Sequence, residues 1–183
     1  MTIKERYFKG RHLIKNGDFI FFSGTGLIAS VIKDADQSPI SHVGRVIELY
    51  GRLLIIDSNA LGNHPEWLSS RIEGYSPNSD ISIIRSNKNG EVISGNVASF
   101  INRSDDERTK YDFKNGIREL INRKFNLDFK ISLDKSHNIC SQSVRKDFED
   151  LEMCTNEFKK LPIAFPFDYF RYRNINNTSI ISL

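Results

Sequence analysis

Residues 41–58 read SHVGRVIELYGRLLIIDS, and they carry the clearest secondary-structure signal in the chain. Two runs rich in valine, isoleucine and leucine are separated by Tyr50-Gly51-Arg52, a short break whose glycine favours a tight turn. The segment therefore predicts an antiparallel β-hairpin.

The register of this hairpin decides which side chains share a face. If Tyr50-Gly51 alone forms the turn, Asp57 points to the same face as His42 and lies within diagonal reach of it. A carboxylate in that position can orient an imidazole for acid–base chemistry. A slip of one residue would turn Asp57 to the opposite face and leave Ser58 in its place.

Segments on both sides of the hairpin predict an α+β fold, because strands cluster ahead of most of the helices. Strands are expected at 18–22 and 81–85. Helices are expected at 3–15, 25–35, 91–103, 112–124 and 139–151, with a short one beginning at Pro65-Glu66-Trp67-Leu68. Residues 126–137 look irregular, and residues 152–183 show no clear pattern beyond aromatic packing.

Composition places the chain among ordinary globular proteins. Its 183 residues are 39% hydrophobic and 27% charged, which excludes collagen-like, low-complexity and wholly disordered classes. This length predicts a single domain over residues 1–183. The sequence shows neither a signal peptide nor an apolar run of membrane-spanning length, so it predicts a cytoplasmic protein with reduced thiols.

The net charge of +3 is mild, although the first fifteen residues are locally basic. A solvated helix face explains this bias, and contact with nucleic acid or an anionic membrane is the alternative. No nucleic-acid-binding signature accompanies the charge, so nucleic acid is not an expected partner. The basic residues concerned are Lys4, Arg6, Lys9, Arg11 and Lys15.

Two cysteines, Cys140 and Cys154, are too few for a disulfide framework or a four-cysteine zinc site. Cys140 opens the helix predicted at 139–151, with Asn138 as its N-cap. A helix N-terminus stabilises a thiolate, and its free N–H groups can receive an oxyanion. The alternative is a packing thiol, because Cys140 shares one helix face with Val144, Phe148 and Leu151. Cys154 is expected to be a packing residue.

A nucleophilic cysteine needs a base, and His42 is the best-placed histidine. His12, His64 and His137 are weaker candidates, because they lie in a basic segment or in predicted loops. A metal site formed by His42, His64 and Asp57 is possible in principle, but no tight ligand spacing such as His-x-x-x-His supports it. No phosphate-binding glycine motif is present either. The sequence therefore predicts neither a metal nor another cofactor.

Together these segments resemble the circularly permuted branch of the NlpC-type papain-like cysteine hydrolases, the YiiX-like proteins. More distantly they resemble the lecithin retinol acyltransferase group. In order, they look like the opening strand, the histidine strand, the acid strand, the Tyr-Asp segment and the nucleophile helix. The matching segments are Gly17-Asp18-Phe19-Ile20-Phe21-Phe22, Ser41-His42-Val43-Gly44, Ile55-Ile56-Asp57-Ser58, Tyr111-Asp112-Phe113 and Asn138-Ile139-Cys140-Ser141-Gln142-Ser143-Val144.

The resemblance covers residues 14–151 and implies both a fold and a reaction. The fold would be permuted papain-like: a small antiparallel sheet or half-barrel against helices, with the nucleophile helix near the C-terminal end. Cys140 would be the nucleophile, His42 the base and Asp57 the orienting acid. Tyr111 would donate its hydroxyl to the oxyanion or to the substrate. Asp57 departs from the family pattern, which has Glu at this position.

The implied activity is that of a thiol hydrolase, a peptidase or amidase that cleaves an amide bond through a thioester. Lipid-ester hydrolysis or acyl transfer on the same triad is the second expectation. A third is an inactive module that binds a peptide or a lipid. Its signs would be a buried Cys140 beyond hydrogen-bond reach of His42, and an Asp57 that is turned away.

Overall fold

A six-stranded antiparallel sheet forms the centre of the computed structural model, which describes residues 1–59, 62–87, 110–111, 113–125, 127, 137–138 and 140–183. The strand order is β4-β3-β2-β1-β5-β8. These strands are β1 (Phe19–Phe22), β2 (His42–Leu49), β3 (Arg52–Asn59), β4 (Gly62–Trp67), β5 (Ile81–Ser86) and β8 (Thr178–Ser182). Two short strands, β6 (Lys110–Tyr111) and β7 (His137–Asn138), pair in parallel outside this sheet.

Helices of unequal length pack against the sheet, which confirms the predicted α+β class. They are α1 (Ile3–Gly10), α2 (Leu27–Asp36), α3 (Leu68–Glu73), α4 (Phe113–Phe125), α5 (Cys140–Asp150), α6 (Asn156–Lys159) and α7 (Asp168–Arg171). The helix predicted at 91–103 lies outside the described residues. Within the described part of the chain, no helix is both long and apolar enough to cross a membrane.

The hairpin of β2 and β3 has the predicted register, with Leu49 opposite Arg52. Tyr50 and Gly51 have φ angles of 50° and 72°. Positive φ at both central residues is what a two-residue turn of the hairpin type requires, and it matches the twist of the two strands. The alternative register, which placed Ser58 on the His42 face, is thereby excluded.

Pro65 does not begin a helix, so that prediction is wrong. It lies within β4, opposite Ile56 of β3, and α3 begins only at Leu68. β4 is the last strand at one end of the described sheet. A proline can occupy such an edge strand, because its missing N–H costs no hydrogen bond if it faces away from the neighbouring strand.

Three further segments differ from what the sequence indicated. Asn138 lies in β7 rather than acting as the N-cap, and the helix begins at Cys140. The region 152–183, where the sequence showed no clear pattern, forms α6, α7 and the edge strand β8, which pairs with β5. The N-terminal α-helix also ends earlier than predicted, at Gly10, and continues as a short 3-10 turn.

Alternation along the strands gives the sheet two apolar faces. Phe19 and Phe21 pack with α5, whereas Ile20 and Phe22 pack with α1 and α3. Because successive side chains point to opposite faces, this pattern assigns a face to every residue of β1 and its neighbours. This alternation therefore determines which side chains can meet at the candidate site.

Candidate active site

His42 and Asp57 meet on the sheet face that packs with α3. Nε2 of His42 lies 2.6 Å from Oδ2 of Asp57. The Asp57 side chain is fully buried, and the His42 ring is 13% exposed. The hairpin register brings them together: Arg45 pairs with Ile56, which places Asp57 beside Gly44, two residues from His42 on the same face.

Arg71 of α3 completes this cluster, and no sequence pattern had pointed to it. Its Nη2 lies 2.9 Å from Asp57 Oδ2 and 3.1 Å from His42 Nε2. One carboxylate oxygen is therefore in contact with both basic side chains. Because Arg71 is far from both partners along the chain, only the packing of α3 on the sheet reveals the contact.

Aromatic rings form one side of this cluster. Phe22 stacks on Tyr75 with ring centroids 4.6 Å apart, and its ring lies 6.2 Å from that of His42. The Arg71 guanidinium lies 5.6 Å from the Tyr75 ring. Apolar and aromatic neighbours lower the local polarity, so the interactions among His42, Asp57 and Arg71 are stronger than they would be in water.

Gly44 leaves no room for a side chain beside Asp57. A Cβ at this position would lie 2.6 Å from Cδ1 of Ile55 and 3.0 Å from Cβ of Asp57. Gly44→Ala should therefore lower the free energy of unfolding by about 1–3 kcal/mol, because the core would be overpacked. Urea denaturation measures this loss.

Gly74→Ala is the matched control, since Gly74 has φ of −76° and its Cβ would make only ordinary contact with the Arg71 carbonyl. We expect a change within about 0.5 kcal/mol for it. Equal effects of the two substitutions would contradict the tight packing assigned to Gly44.

Cys140 is the first residue of α5, as the nucleophile assignment requires. Two residues earlier, Asn138 of β7 pairs with Tyr111 of β6. The backbone thus brings Tyr111 close to the start of the Cys140 helix. The side chains of Cys140 and Tyr111 lie outside the described part of the structure.

The helix α5 packs against β2 from the face opposite to α3. Arg45 of β2 forms an ion pair with Asp147 of α5. Val43 shares a core cluster with Val144 and Phe148 of the same helix. The predicted apolar stripe on this helix is confirmed for these two residues and for Leu151, all of which are buried.

Cys154 and the three histidines other than His42 were not expected to be catalytic. Cys154 is buried as predicted, and burial, followed by the charge of Glu149, raises the pKa of its thiol. His12 is exposed in the 3-10 turn after α1. His64 stands opposite Asp57 in the pairing of β3 with β4, and His137 lies in β7, but the side chains of both are outside the described part.

Comparison with known proteins shows the fold alone. No family model matches the sequence, and no curated protein matches it. The structure is similar to the crystal structure of the metalloprotein YiiX from Escherichia coli O157:H7, with a TM-score of 0.64. Sequence identity is 15%, and the match covers 91% of this chain and 96% of that chain. The chain therefore has a YiiX-like α+β fold.

Proposed function

We propose that this protein is a cysteine hydrolase with a circularly permuted papain-like arrangement, in which Cys140, His42 and Asp57 cleave an amide bond. The observation that carries the proposal is the partly buried hydrogen bond between His42 and Asp57. A fully buried carboxylate that orients a nearly buried imidazole is typical of a catalytic base and its orienting acid.

The ring nitrogen that contacts Asp57 supports the same role. His42 uses Nε2 for Asp57, so Nδ1 is the nitrogen that would take a proton from a thiol. The helix that begins at Cys140 packs against the strand that carries His42. A thiol in the first turn of this helix would gain from the helix dipole and from free backbone N–H groups.

The reaction would proceed in two steps. Nδ1 of His42 takes the proton of Cys140, and the thiolate attacks the carbonyl carbon while the backbone N–H of Cys140 and the Tyr111 hydroxyl hold the oxyanion. His42 then protonates the leaving amine, which departs and leaves a thioester on Cys140. Water attacks the thioester with His42 as base, and the carboxylic acid and the free thiol result.

The described side chains do not fit a metal at this site. YiiX is described as a metalloprotein, and the sequence offers His42, His64 and Asp57 as a possible set of ligands. The Arg71 guanidinium lies 2.9 Å from Asp57 Oδ2, so a cation bound to this oxygen would lie beside a positive charge. Among the described residues, no group of three or more His, Cys, Asp or Glu side chains could hold a metal ion. The proposed mechanism uses side chains, the backbone N–H of Cys140 and water.

The alkylation rate of Cys140 by iodoacetamide, followed against pH by peptide mass spectrometry, tests this proposal. In the wild type, reactivity should persist well below the free-cysteine pKa of about 8.5. At pH 6.5, His42→Ala should lower the rate by roughly tenfold or more, because the base is lost.

Two controls accompany this measurement. His12→Ala removes an exposed histidine outside the cluster and should leave the profile unchanged. Cys154 is an internal control, because its buried thiol with a raised pKa should react slowly at every pH in both proteins. A Cys140 profile that follows a free thiol and is unaffected by His42→Ala would refute the proposal.

A second candidate is a binding module that has the same fold and turns over no substrate. The observation that favours it is the placement of α5: Val43 and Arg45 contact this helix, whereas His42 and Asp57 point to the face of α3. Against it, Asp57 is not turned away from His42 but hydrogen-bonded to it. The same alkylation profile separates the two candidates.

A further inference from the structure

The contacts of Arg71 and Asp57 with Nε2 of His42 require different protonation states of this nitrogen. A guanidinium carries only donors, so Arg71 Nη2 can hydrogen-bond to Nε2 only if this nitrogen has no proton. An ionised Asp57 carboxylate only accepts, so its contact with Nε2 is a hydrogen bond only if this nitrogen carries a proton. The two contacts therefore select different tautomers of the imidazole.

The distances favour the hydrogen bond to Asp57, and therefore the tautomer of His42 with its proton on Nε2. Its Oδ2 lies 2.6 Å from Nε2, whereas Arg71 Nη2 lies 3.1 Å from the same atom. Arg71 also lies 2.9 Å from this oxygen, and a neighbouring cation keeps a carboxylate ionised. With Asp57 as acceptor, Nε2 carries the proton and Nδ1 keeps its lone pair.

The same geometry opposes a second proton on the ring. An imidazolium at His42 would place its positive charge beside the guanidinium of Arg71, which remains charged at every accessible pH. Asp57 from β3 attracts that proton, and Arg71 from α3 repels it. Two further titratable residues belong to this face: Tyr75, which stacks on Phe22 beside the ring, and His64 of β4, which stands opposite Asp57. Arg71 thus partly offsets the stabilisation of the His42 imidazolium by Asp57.

We propose that Arg71 is a positioning residue: it keeps Asp57 ionised and His42 neutral, so that Asp57 holds the imidazole proton on Nε2 and the lone pair stays on Nδ1. The use of that lone pair as the catalytic base rests on the proposed function. The tautomer and its dependence on Arg71 do not, so the two can fail separately.

Nitrogen-15 NMR of the imidazole rings tests the tautomer in the unmodified protein. The chain has four histidines, and the spectrum of His42→Gln identifies the signals of His42 by their loss. We expect the neutral ring to carry its proton on Nε2. A neutral ring with the proton on Nδ1 would overturn the inference without any Arg71 variant.

Arg71→Met tests the effect of the charge. Loss of the cation should move the His42 titration midpoint upward by about one pH unit. Arg71→Lys keeps the charge and should restore most of the difference, whereas a residue that only packs would not be rescued by charge. Arg52→Met is the matched control, because Arg52 lies over the Trp67 ring, away from this cluster, and should leave the midpoint unchanged.

Two further results would count against Arg71. A midpoint that is unchanged or lower in a folded Arg71→Met protein would overturn the inference, as would equal midpoints in the Met and Lys variants. Circular dichroism establishes that each variant is folded, and the wild-type spectrum still tests the tautomer even if Arg71→Met does not fold. A failure here together with His42-dependent alkylation of Cys140 would leave the proposed function standing.

Discussion

Asp57→Ala is expected to lower the free energy of unfolding by about 3 kcal/mol or more, and to abolish the reactivity assigned to Cys140. The carboxylate is fully buried and contacts both His42 and Arg71. Removing one member of a buried ionic cluster leaves the others desolvated and unpaired, which is among the most costly of single substitutions. Urea denaturation at pH 7 measures the loss.

Asp34→Ala is the matched control for this effect. Asp34 also pairs with a cation, Lys124, but its side chain is 66% exposed. Exposed ion pairs contribute little, so we expect a loss of about 0.5 kcal/mol or less. Similar losses for Asp57→Ala and Asp34→Ala would contradict the central place of Asp57 in the folded structure.

Asp36→Asn is expected to stabilise the protein at pH 8. Asp36 ends α2, is buried, and lies 3.1 Å from Nη1 of Arg123 in α4. Burial raises the pKa of Asp36 to about 6, with the Arg123 charge opposing this rise and Asp168 adding to it. A carboxylate at the C-terminal end of a helix also opposes the helix dipole.

The sign of the pH dependence follows from this raised pKa. The folded state binds the Asp36 proton more tightly than the unfolded state does, so stability falls as the pH rises from about 4 to about 6. Above that range the full cost of the buried charge remains, roughly 2–3 kcal/mol. The amide introduced by Asp36→Asn carries no such charge, and Arg123 keeps Glu119 and Asp168 as partners.

Unfolding measured at pH 4 and at pH 8 checks this expectation. The free energy of unfolding of Asp36→Asn should be equal to or lower than that of the wild type at pH 4 and higher at pH 8. Asp34→Asn removes an exposed carboxylate from the same helix and should show no such crossover. Parallel stability curves for Asp36→Asn and the wild type between pH 4 and pH 8 would contradict a raised Asp36 pKa.

The hairpin was predictable because residues close together in the sequence determine its turn and its register. Tyr50-Gly51 selects the turn, the turn fixes the register, and the register brings Asp57 to the face of His42. The burial of the apolar stripe on α5 followed from helical spacing in the same way. Each of these inferences needed only a few neighbouring residues.

Arg71 and β8 could not be predicted, because their partners are distant in the sequence. Arg71 gains its role only when α3 packs on the sheet, and Thr178–Ser182 becomes a strand only by pairing with β5. Pro65 misled the prediction for a related reason. A proline that starts a helix and one in an edge strand look alike until the sheet order is known.

Acylation of Cys140 by p-nitrophenyl acetate tests the thioester most directly. The thiolate would attack the ester carbonyl, release p-nitrophenolate and keep the acetyl group, which intact-mass and peptide analysis locate after an acid quench. We predict a stoichiometric burst of p-nitrophenolate with acetyl on Cys140 in the wild type, and its loss in His42→Ala. Acetylation absent from Cys140, or equally fast in His42→Ala, would contradict a His42-activated nucleophile.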